Sequence, residues 1–396
     1  MAEPTYPTYS FAHDADAAMR ADAFGRWDEV REAERVFLTT DLEHRVWYLT
    51  RFDDVHAALR DTDTFSSIAV SAIDPTPPEN RRRWIPTEID PPEHGRFRSL
   101  LNARLSPGLV ADMEPDIRAR ARELVEGIAP SRGGDFMAQF SKRFPTTIFM
   151  GMMGLPVAEA DMFLGWVEEL LHVSGDDPDF SRRRAATAQV YGYLGELLAE
   201  RRAAPRGDIV SHLLASEVGG RPLTDDELLN MCFLLYMAGL DTVAGALGYA
   251  WQHFADHPAQ RRALTAVPGS LPVAMEELLR LYSIVVTGRV VTRDVEVAGC
   301  PIRAGDRVVL ALPAANRDSA AFDRATDAVL DREANRHLAF GAGPHRCAGN
   351  HLARAELRIA FEEWHRVIPD YEVAPGAVLT SHGGGVMGLD ALPLVW

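Results

Sequence analysis

Residues 340–349 read Phe-Gly-Ala-Gly-Pro-His-Arg-Cys-Ala-Gly, a glycine-rich segment with Cys347 near its end. Apolar residues then recur with helical spacing from Leu352 to Phe361, which predicts a helix beginning next to the cysteine. Free backbone N–H groups and the positive dipole end of a helix N-terminus favour a thiolate, the form of cysteine that ligates metals. The same position also suits an inert cysteine buried in a turn.

A second helix is marked at both ends. Thr224 and Glu227 form a capping-box pattern, and Pro258 closes the apolar run that follows, so we predict a helix over residues 225–256. Its apolar residues fall on every face, which indicates a helix that passes through the protein interior. Asp241 and Thr242 lie in the middle of this run and require a partner or a chemical task.

Composition excludes several classes of protein. The 396 residues carry 41 Lys and Arg against 57 Asp and Glu, a formal charge of −16 that opposes binding to nucleic acids and anionic membranes. Three cysteines are too few for a disulfide framework or a four-cysteine zinc site. The N-terminus lacks a basic region followed by an apolar core, and the most apolar stretch, Met231–Leu240, is shorter than a membrane span. We therefore expect a cytoplasmic protein without a membrane anchor.

The rest of the chain predicts a mainly α fold with small β-sheets. No long linker, repeat or low-complexity tract divides it, so we expect one domain over residues 1–396, with residues 1–30 as an N-terminal extension. Helical periodicity dominates from Ala111 to Ala266. Alternation typical of strands is confined to Val46–Thr50, Arg289–Val291, Val295–Val297 and Arg307–Leu310.

Three motifs together resemble one family. Phe340, Gly343, Cys347 and Gly349 have the spacing of Phe-x-x-Gly-x-x-x-Cys-x-Gly, which resembles the haem-binding signature of the cytochrome P450 family. The pair Glu277 and Arg280 is similar to that family's Glu-x-x-Arg helix, and Ala238–Thr242 is similar to the acid-alcohol segment of its central helix. The resemblance extends from Arg45 to Trp396, and within the family it is closest to the bacterial camphor-hydroxylase group, through Trp84–Thr87 and the residues after them.

The resemblance implies a cytochrome P450 fold in which haem b lies between a long central helix and the helix after the cysteine loop. Cys347 is then the thiolate ligand of the iron. The implied partners of the haem propionates are His94, Arg98, Arg289 and His345. Further implied haem contacts are Phe340, Gly343, Gly349 and Ala238, with Gly343 and Gly349 leaving room for a flat macrocycle, while Glu277 and Arg280 have a structural role.

The implied reaction is insertion of one oxygen atom from O2 into a substrate. Thr242 and Asp241 are the candidate catalytic residues, because a hydroxyl next to a carboxylate can hold a water and deliver protons. The alternative is structural: the Thr242 hydroxyl bonds back to a carbonyl one turn earlier.

The implied substrate pocket is apolar. Its residues are Trp84, Thr87, Leu234, Met237, Ala238, Val285, Val286 and Val386. They favour a small hydrophobic molecule, terpenoid or aromatic. Arg82 stands where the camphor-type pattern has a tyrosine, which argues against camphor itself. Arg81–Arg83 offer a substrate-carboxylate site, with three solvated arginines as the alternative.

Electrons must come from another protein, since the chain has no flavin domain and no second cysteine cluster. We expect a ferredoxin with its NAD(P)H-dependent reductase, and a monomeric enzyme. A basic docking surface for the ferredoxin is predicted from Arg96, Arg104, Arg346, His351, Arg354 and Arg358.

Two alternatives within the same fold stay open: a peroxide-driven oxygenase and a non-catalytic haem-binding sensor. A hydrolase is suggested by His382–Gly385, but no Gly-x-Ser-x-Gly nucleophile motif occurs. A dinucleotide site at Gly341–Gly343 fails because Arg346 occupies the position of the third glycine.

Overall fold

The computed structural model describes residues 6–74, 76, 81–172 and 181–396, and helices dominate it. The helices are α1 Ala18–Ala21, α2 Ala23–Ala33, α3 Phe52–Arg60, α4 Glu93–Asn102, α5 Pro107–Ile128, α6 Arg143–Met153, α7 Ala160–Val167, α8 Ser181–Ala203, α9 Ile209–Leu214, α10 Asp225–Asp256, α11 Pro258–Ala266, α12 Leu271–Leu281, α13 Leu312–Ala315 and α14 Asn350–Val367.

The strands are short. They are β1 Thr8–Tyr9, β2 Val36–Thr39, β3 Val46–Leu49, β4 Phe65–Ser66, β5 Gly133–Asp135, β6 Glu217–Val218, β7 Arg221–Pro222, β8 Val286–Val291, β9 Val295–Val297, β10 Cys300–Ile302, β11 Arg307–Ala311, β12 Glu372–Val373, β13 Ser381–His382, β14 Gly388–Leu389 and β15 Pro393–Val395. The predicted fold class, mainly α with small sheets, is confirmed.

The chain divides into two compact units. The first comprises Met1–Gly95, Glu276–Cys347 and Ser381–Met387. The second comprises Arg96–Met275, Ala348–Thr380 and Gly388–Trp396. The expectation of a single domain over residues 1–396 stays a prediction.

A six-stranded sheet with the order β1-β2-β3-β11-β8-β4 organises the first unit. Strand β11 pairs in parallel with β3 and antiparallel with β8, so both of its edges are hydrogen-bonded to neighbouring strands. Trp47 and Leu310 pack with α3 on one face of this sheet and form its apolar core. The stretch predicted as an N-terminal extension also carries buried residues: Trp27 is fully buried, with its ring 5.0 Å from that of Phe11.

Helix α10 organises the second unit. Its capping box is formed as predicted, with the Thr224 hydroxyl accepting from Glu227 N and the Glu227 carboxylate accepting from Thr224 N. The helix covers residues 225–256, and its predicted bounds are therefore confirmed. Near its C-terminal end, Trp251 stacks on Phe136 with ring centroids 5.0 Å apart, and Trp364 of α14 meets Phe136 edge-on at 5.0 Å.

By length and hydropathy alone, α10 is the helix among the described residues that meets the requirement for a membrane span. The structure buries 78% of its most apolar 18-residue window inside the protein. Its hydrophobicity is thus accounted for by packing in the core of the second unit.

Candidate active site

The glycine-rich loop presents Cys347 to the outside of its unit. The backbone N–H of Cys347 donates to Phe340 O at 2.8 Å and closes the loop around a 3-10 turn at Gly343–His345. The Cys347 side chain is exposed, so the alternative of an inert buried cysteine is wrong. Helix α14 begins at Asn350, three residues further on, as the periodicity predicted.

Gly343 is required by its backbone and its surroundings. Its φ of +69° lies in the left-handed region, and a Cβ atom there would come within 2.6 Å of Leu59 O. The sequence suggested that this glycine leaves room for a flat macrocycle. The structure adds a different reason, which is the close approach of the loop to the end of α3.

Two of the predicted propionate partners are in contact. The imidazole rings of His94 and His345 have centroids 4.1 Å apart, although the residues are far apart in sequence. His94 is buried, at 3% exposure. The first unit therefore places two nitrogen-bearing rings side by side next to the cysteine loop, since His345 ends the turn that precedes Cys347.

Arg289 is a buried cation on strand β8. Its side chain is 3% exposed, and its Nη1 donates to Gly288 O at 2.6 Å and Thr287 Oγ1 at 3.3 Å. Burial lowers the pKa of the guanidinium to about 10, against the opposing effect of Asp90, so it remains charged at neutral pH. Its Nε makes no hydrogen bond to any described residue. A buried cation with an unused donor suits an anionic group of a ligand.

Arg98, the fourth predicted partner, lies on α4 in the second unit. Its Nε donates to Asn102 Oδ1 at 2.8 Å, and its side chain is half-buried.

The predicted Glu-x-x-Arg pair is the centre of a buried network. Both carboxylate oxygens of Glu277 accept from Arg280 at 2.8 Å, and Arg332 Nε donates to Oε2 at 2.9 Å. Val329 N and Asn335 Nδ2 add two further donors. Arg280 also donates to the carbonyls of Asn316, Ala325 and Asp327. This network ties α12 to the chain between residues 316 and 335 and holds the segment that leads into the cysteine loop.

The segment 238–242 forms a notch in the otherwise buried surface of α10. Ala238 is exposed and Gly239 and Thr242 are half-buried, whereas Met237, Leu240 and Asp241 are buried. The Thr242 hydroxyl donates to Ala238 O at 2.9 Å, which is the back-bond that the structural alternative predicted. The hydroxyl oxygen still has lone pairs with which to accept a hydrogen bond.

Apolar residues assigned to the substrate occur in each unit. In the first unit, Val285 and Val386 form a β-bridge, and Val286 N donates to Gly385 O at 3.0 Å. In the second unit, Leu234 and Met237 lie on α10 just before the notch, three residues apart and therefore neighbours on the helix surface. The predicted valines therefore lie together in the first unit, and the predicted residues of α10 lie together in the second.

Sequence reasoning missed Glu88, which fixes the loop carrying Trp84 and Thr87. Its carboxylate is fully buried and accepts from Trp84 N at 2.9 Å and Val70 N at 3.2 Å. It also forms an ion pair with Arg81, whose guanidinium is within reach of Asp74. Arg81 is thus engaged by protein carboxylates, which argues against its use for a substrate carboxylate. The position of Glu88 next to Ile89 in a Pro-rich loop was the available signal.

Comparisons with known proteins point to one family. The sequence model described as cytochrome P450 matches residues 271–374. A probable cytochrome P450 127A1 of Sinorhizobium fredii is 39% identical over 88% of this chain and 83% of its own length. The methyl-branched lipid omega-hydroxylase of Mycobacterium bovis is 33% identical over 88% and 84%. The crystal structure of cytochrome P450 CYP101C1 matches with a TM-score of 0.90 at 32% identity, covering 99% of this chain and 98% of that one.

This chain belongs to the cytochrome P450 family. As a P450 it is a monooxygenase, and its cofactor is haem b. The described residues fit that group, because the first unit offers an exposed thiol at Cys347 together with the buried, incompletely bonded guanidinium of Arg289. P450 membership also means that the chain takes O2, a substrate and electrons from a redox partner.

Proposed function

We propose that this P450 hydroxylates a compact, mostly apolar substrate, terpenoid or aromatic, with electrons from a ferredoxin and its reductase, and that it works as a cytoplasmic monomer. The observation that carries the haem chemistry is the exposed thiol of Cys347, at the end of a loop closed by the bond from its own N–H to Phe340 O. The apolar or small character of the residues assigned to the substrate supports the substrate class.

Cys347 would ligate the iron as a thiolate. Arg289, His94, His345 and Arg98 would hold the propionates, since each offers nitrogen donors and Arg289 has one that no described residue uses. Phe340, Gly343 and Gly349 would shape the loop, and Ala238, whose methyl group is exposed, would allow close approach at α10. When bound, the haem supplies the activation of O2 and the transfer of one oxygen atom.

Asp241 and Thr242 would hold a water molecule and relay a proton to it. The Thr242 Oγ1 gives its proton to Ala238 O, so towards the notch it acts as an acceptor and can hold a water molecule in place. Asp241 is 6% exposed, and a buried carboxylate one residue away is suited to relay a proton to that water. The back-bond orients the hydroxyl and does not exclude it from this role.

Two relatives are named for larger substrates. The relative from Mycobacterium bovis is named for a methyl-branched lipid, and one from Micromonospora griseorubida, 32% identical over 94% of this chain and 95% of its own length, is named mycinamicin IV hydroxylase/epoxidase. A spectral titration should therefore compare terpenoid, aromatic, branched-lipid and macrolide ligands, following the spin state of the iron. Tight binding of the larger classes alone would contradict a compact substrate.

The thiolate assignment is tested with a matched pair of cysteine variants. Cys347→Ser is expected to abolish the thiolate-type carbon monoxide spectrum of the reduced protein. Cys300→Ser serves as the control, because Cys300 is buried beside β2 and should leave the spectrum unchanged. A thiolate spectrum that persists in Cys347→Ser overturns the assignment.

The proton assignment is tested by Thr242→Ala, which should retain haem and divert reducing equivalents from product to peroxide. Full coupling in this variant would remove Thr242 from the mechanism. The same assay separates the two alternatives that the sequence left open. Product with O2 and reductant, but not with peroxide, supports the monooxygenase; product with peroxide alone, or ligand binding without turnover, supports the peroxide-driven enzyme or the sensor.

The hydrogen bonds and ion pairs of α14 bear on the predicted docking surface for the ferredoxin. Arg358 pairs with Glu114 at 2.6 Å and with Glu362 at 3.2 Å, so it adds no net positive charge to its surroundings. Arg354 donates to Asn350 O at 3.2 Å and to Asn350 Oδ1 at 2.7 Å. If this face docks the ferredoxin, Arg354→Gln should lower the partner's apparent affinity more at low salt than at high salt, because salt screens the attraction between charges. No change at either salt would refute a docking role for Arg354.

A further inference from the structure

The second unit contains a cavity of about 440 Å³ that none of the haem or substrate residues lines. It is bounded by α5, by the C-terminal end of α6, by Arg104 after α4, and by the segment 206–208 that precedes α9. Its volume is within the range of small-molecule sites.

Helix α5 lines this cavity with two parallel stripes of different chemistry. Leu109, Met113 and Ile117 follow one another at intervals of four residues and are apolar. Asp112, Asp116 and Arg120 do the same and are charged. Because residues three and four apart are neighbours on a helix surface, the two stripes lie side by side. Ile148 and Met152 of α6 extend the apolar part. A molecule in the cavity would meet an apolar stripe along one side and charges of both signs along the other.

Two of the charged residues at the rim are already engaged by the protein. Asp208 accepts from Arg201 Nε at 2.5 Å and from Ser211 N at 2.8 Å, where it caps α9. Arg206 forms an ion pair with Glu200. These residues shape the cavity wall and have little charge left for a ligand.

The charges of α5 are not engaged in this way. In the part of the chain that the structure describes, Asp112, Asp116 and Arg120 make no hydrogen bond or ion pair. Arg120 is half-buried, and its Nη2 lies so close to α6 that a Cβ on Gly151 would be 3.1 Å away. Arg104 donates to the uncharged Gly207 O at 2.9 Å and keeps its positive charge. The cavity thus presents two guanidinium groups, those of Arg104 and Arg120, and the carboxylates of Asp112 and Asp116. Among the described residues these groups form no ion pair with one another.

We propose that this cavity binds a compact zwitterion with an aliphatic chain, of the chemical class of a free α-amino acid. Its carboxylate pairs with Arg120, its ammonium with Asp116 and Asp112, and its chain lies along Leu109, Met113 and Ile117. The spacing suits this ligand, because Asp116 and Arg120 are one helical turn apart and hold opposite charges without touching. A simple anion would meet the two aspartates, and a simple cation would meet the arginines, so either alone is disfavoured.

The test is calorimetric titration of the haem-loaded protein with three matched probes. L-norleucine carries both charges, hexanoate lacks the ammonium group, and pentylamine lacks the carboxylate, while the aliphatic chain stays comparable. We expect norleucine to bind at least about tenfold more tightly than either of the other two. No binding of norleucine, or equal binding of hexanoate or pentylamine, overturns the proposal. These arms use the unaltered chain and do not depend on any variant folding.

Variants then locate the binding. Arg120→Met keeps the length of the side chain and removes its charge, and Asp116→Asn removes the opposite charge; each should weaken norleucine binding about tenfold or more. Arg184→Met, at an exposed position of α8 outside the cavity, is the matched control and should bind as the unaltered protein does. Unchanged affinity in Arg120→Met, or a norleucine-induced change in the haem absorption spectrum, would place the ligand elsewhere and overturn the proposal. Because the proposal does not rest on the monooxygenase reaction, loss of either leaves the other standing.

Discussion

Glu277 of α12 and Glu356 of α14 are both glutamates removed from solvent, at 0% and 3% exposure, and their surroundings differ completely. Glu277 receives hydrogen bonds from two arginines, one asparagine and a backbone N–H. Burial raises its pKa, and the bonds from Arg280 and Arg332 outweigh that effect, so the pKa of Glu277 is lowered. The pKa of Glu356 is raised well above its ordinary value by burial alone.

The difference between the two glutamates shows that a buried carboxylate supports the fold only when its donors outweigh the cost of its burial. A carboxylate with enough donors becomes a node on which other buried charges depend, and its removal leaves those charges without compensation. When a carboxylate without charged partners is removed, no other buried charge loses its compensation, and its own charge only opposes burial. The largest loss of stability is therefore expected where buried arginines depend on the carboxylate, and none is expected where the carboxylate has no charged partner.

The largest effect is expected for Glu277→Ala. This change leaves the fully buried Arg280 and the largely buried Arg332 without their carboxylate, and we expect a loss of about 3–5 kcal/mol of stability. Urea unfolding followed by haem absorbance measures it. Glu276→Ala is the neighbouring control, because Glu276 is 28% exposed, so the loss of its partly exposed ion pair with His337 should cost less than about 1 kcal/mol. Equal losses of stability in the two variants would mean that Arg280 and Arg332 do not depend on Glu277 for compensation of their charge.

An intermediate effect is expected for Glu88→Gln. The variant keeps the shape of the side chain but leaves the mostly buried Arg81 facing a neutral group, at a cost of about 1.5–3 kcal/mol. Since Trp84 N is one of the donors to Glu88, the affinity for an apolar substrate should fall as well. Glu93→Gln, at an exposed position in the first turn of α4, provides the control for both readouts. Stability indistinguishable from that of the control would contradict the anchoring role.

A smaller, pH-dependent effect is expected at Glu363. Burial raises the pKa of its carboxyl, but the bonds from Arg122, Arg118 and Arg366 outweigh that effect and hold the pKa at about 2. A lowered carboxyl pKa contributes stability above the unfolded value of 4.5, and this stability is lost as the pH falls towards 2. Because the three arginines are a third to a half exposed, the contribution is discounted to about 1 kcal/mol.

Glu363→Gln should therefore flatten the acid limb of a plot of unfolding free energy against pH, below pH 4.5, with a small loss at neutral pH. Glu372→Gln, at an exposed carboxylate of β12, should leave the acid limb unchanged. An acid limb that keeps its slope in Glu363→Gln would show that the three arginines do not lower the pKa of Glu363.

The two buried glutamates also show which parts of the molecule the sequence could predict. Glu277 and Arg280 were visible because the motif is local, three residues apart on one helix. Arg332, which completes the network, lies 55 residues further on, and nothing in the local pattern identifies it. The same division holds elsewhere. The bounds of α10 followed from a capping box and a proline, whereas the steric need for Gly343 depends on Leu59, and the engagement of Arg81 by Glu88 depends on how a loop folds back.

An effect no larger than that at Glu363, and of opposite sign, is expected for Glu356→Gln. A carboxyl whose pKa is raised in the folded protein is ionised more readily when unfolded, so it lowers stability as the pH rises from its ordinary pKa through the folded one. Removing the titrating group should abolish that slope and stabilise the protein by about 1 kcal/mol at neutral pH. The variant should show a rise in melting temperature over the unaltered protein, and this rise should grow from pH 5 to pH 8. Glu196→Gln, on α8 and outside any described ion pair, should show no such rise. A loss of stability in Glu356→Gln, comparable to that of Glu277→Ala, would mean that Glu356 is itself a node and that burial without charged partners does not distinguish the two glutamates.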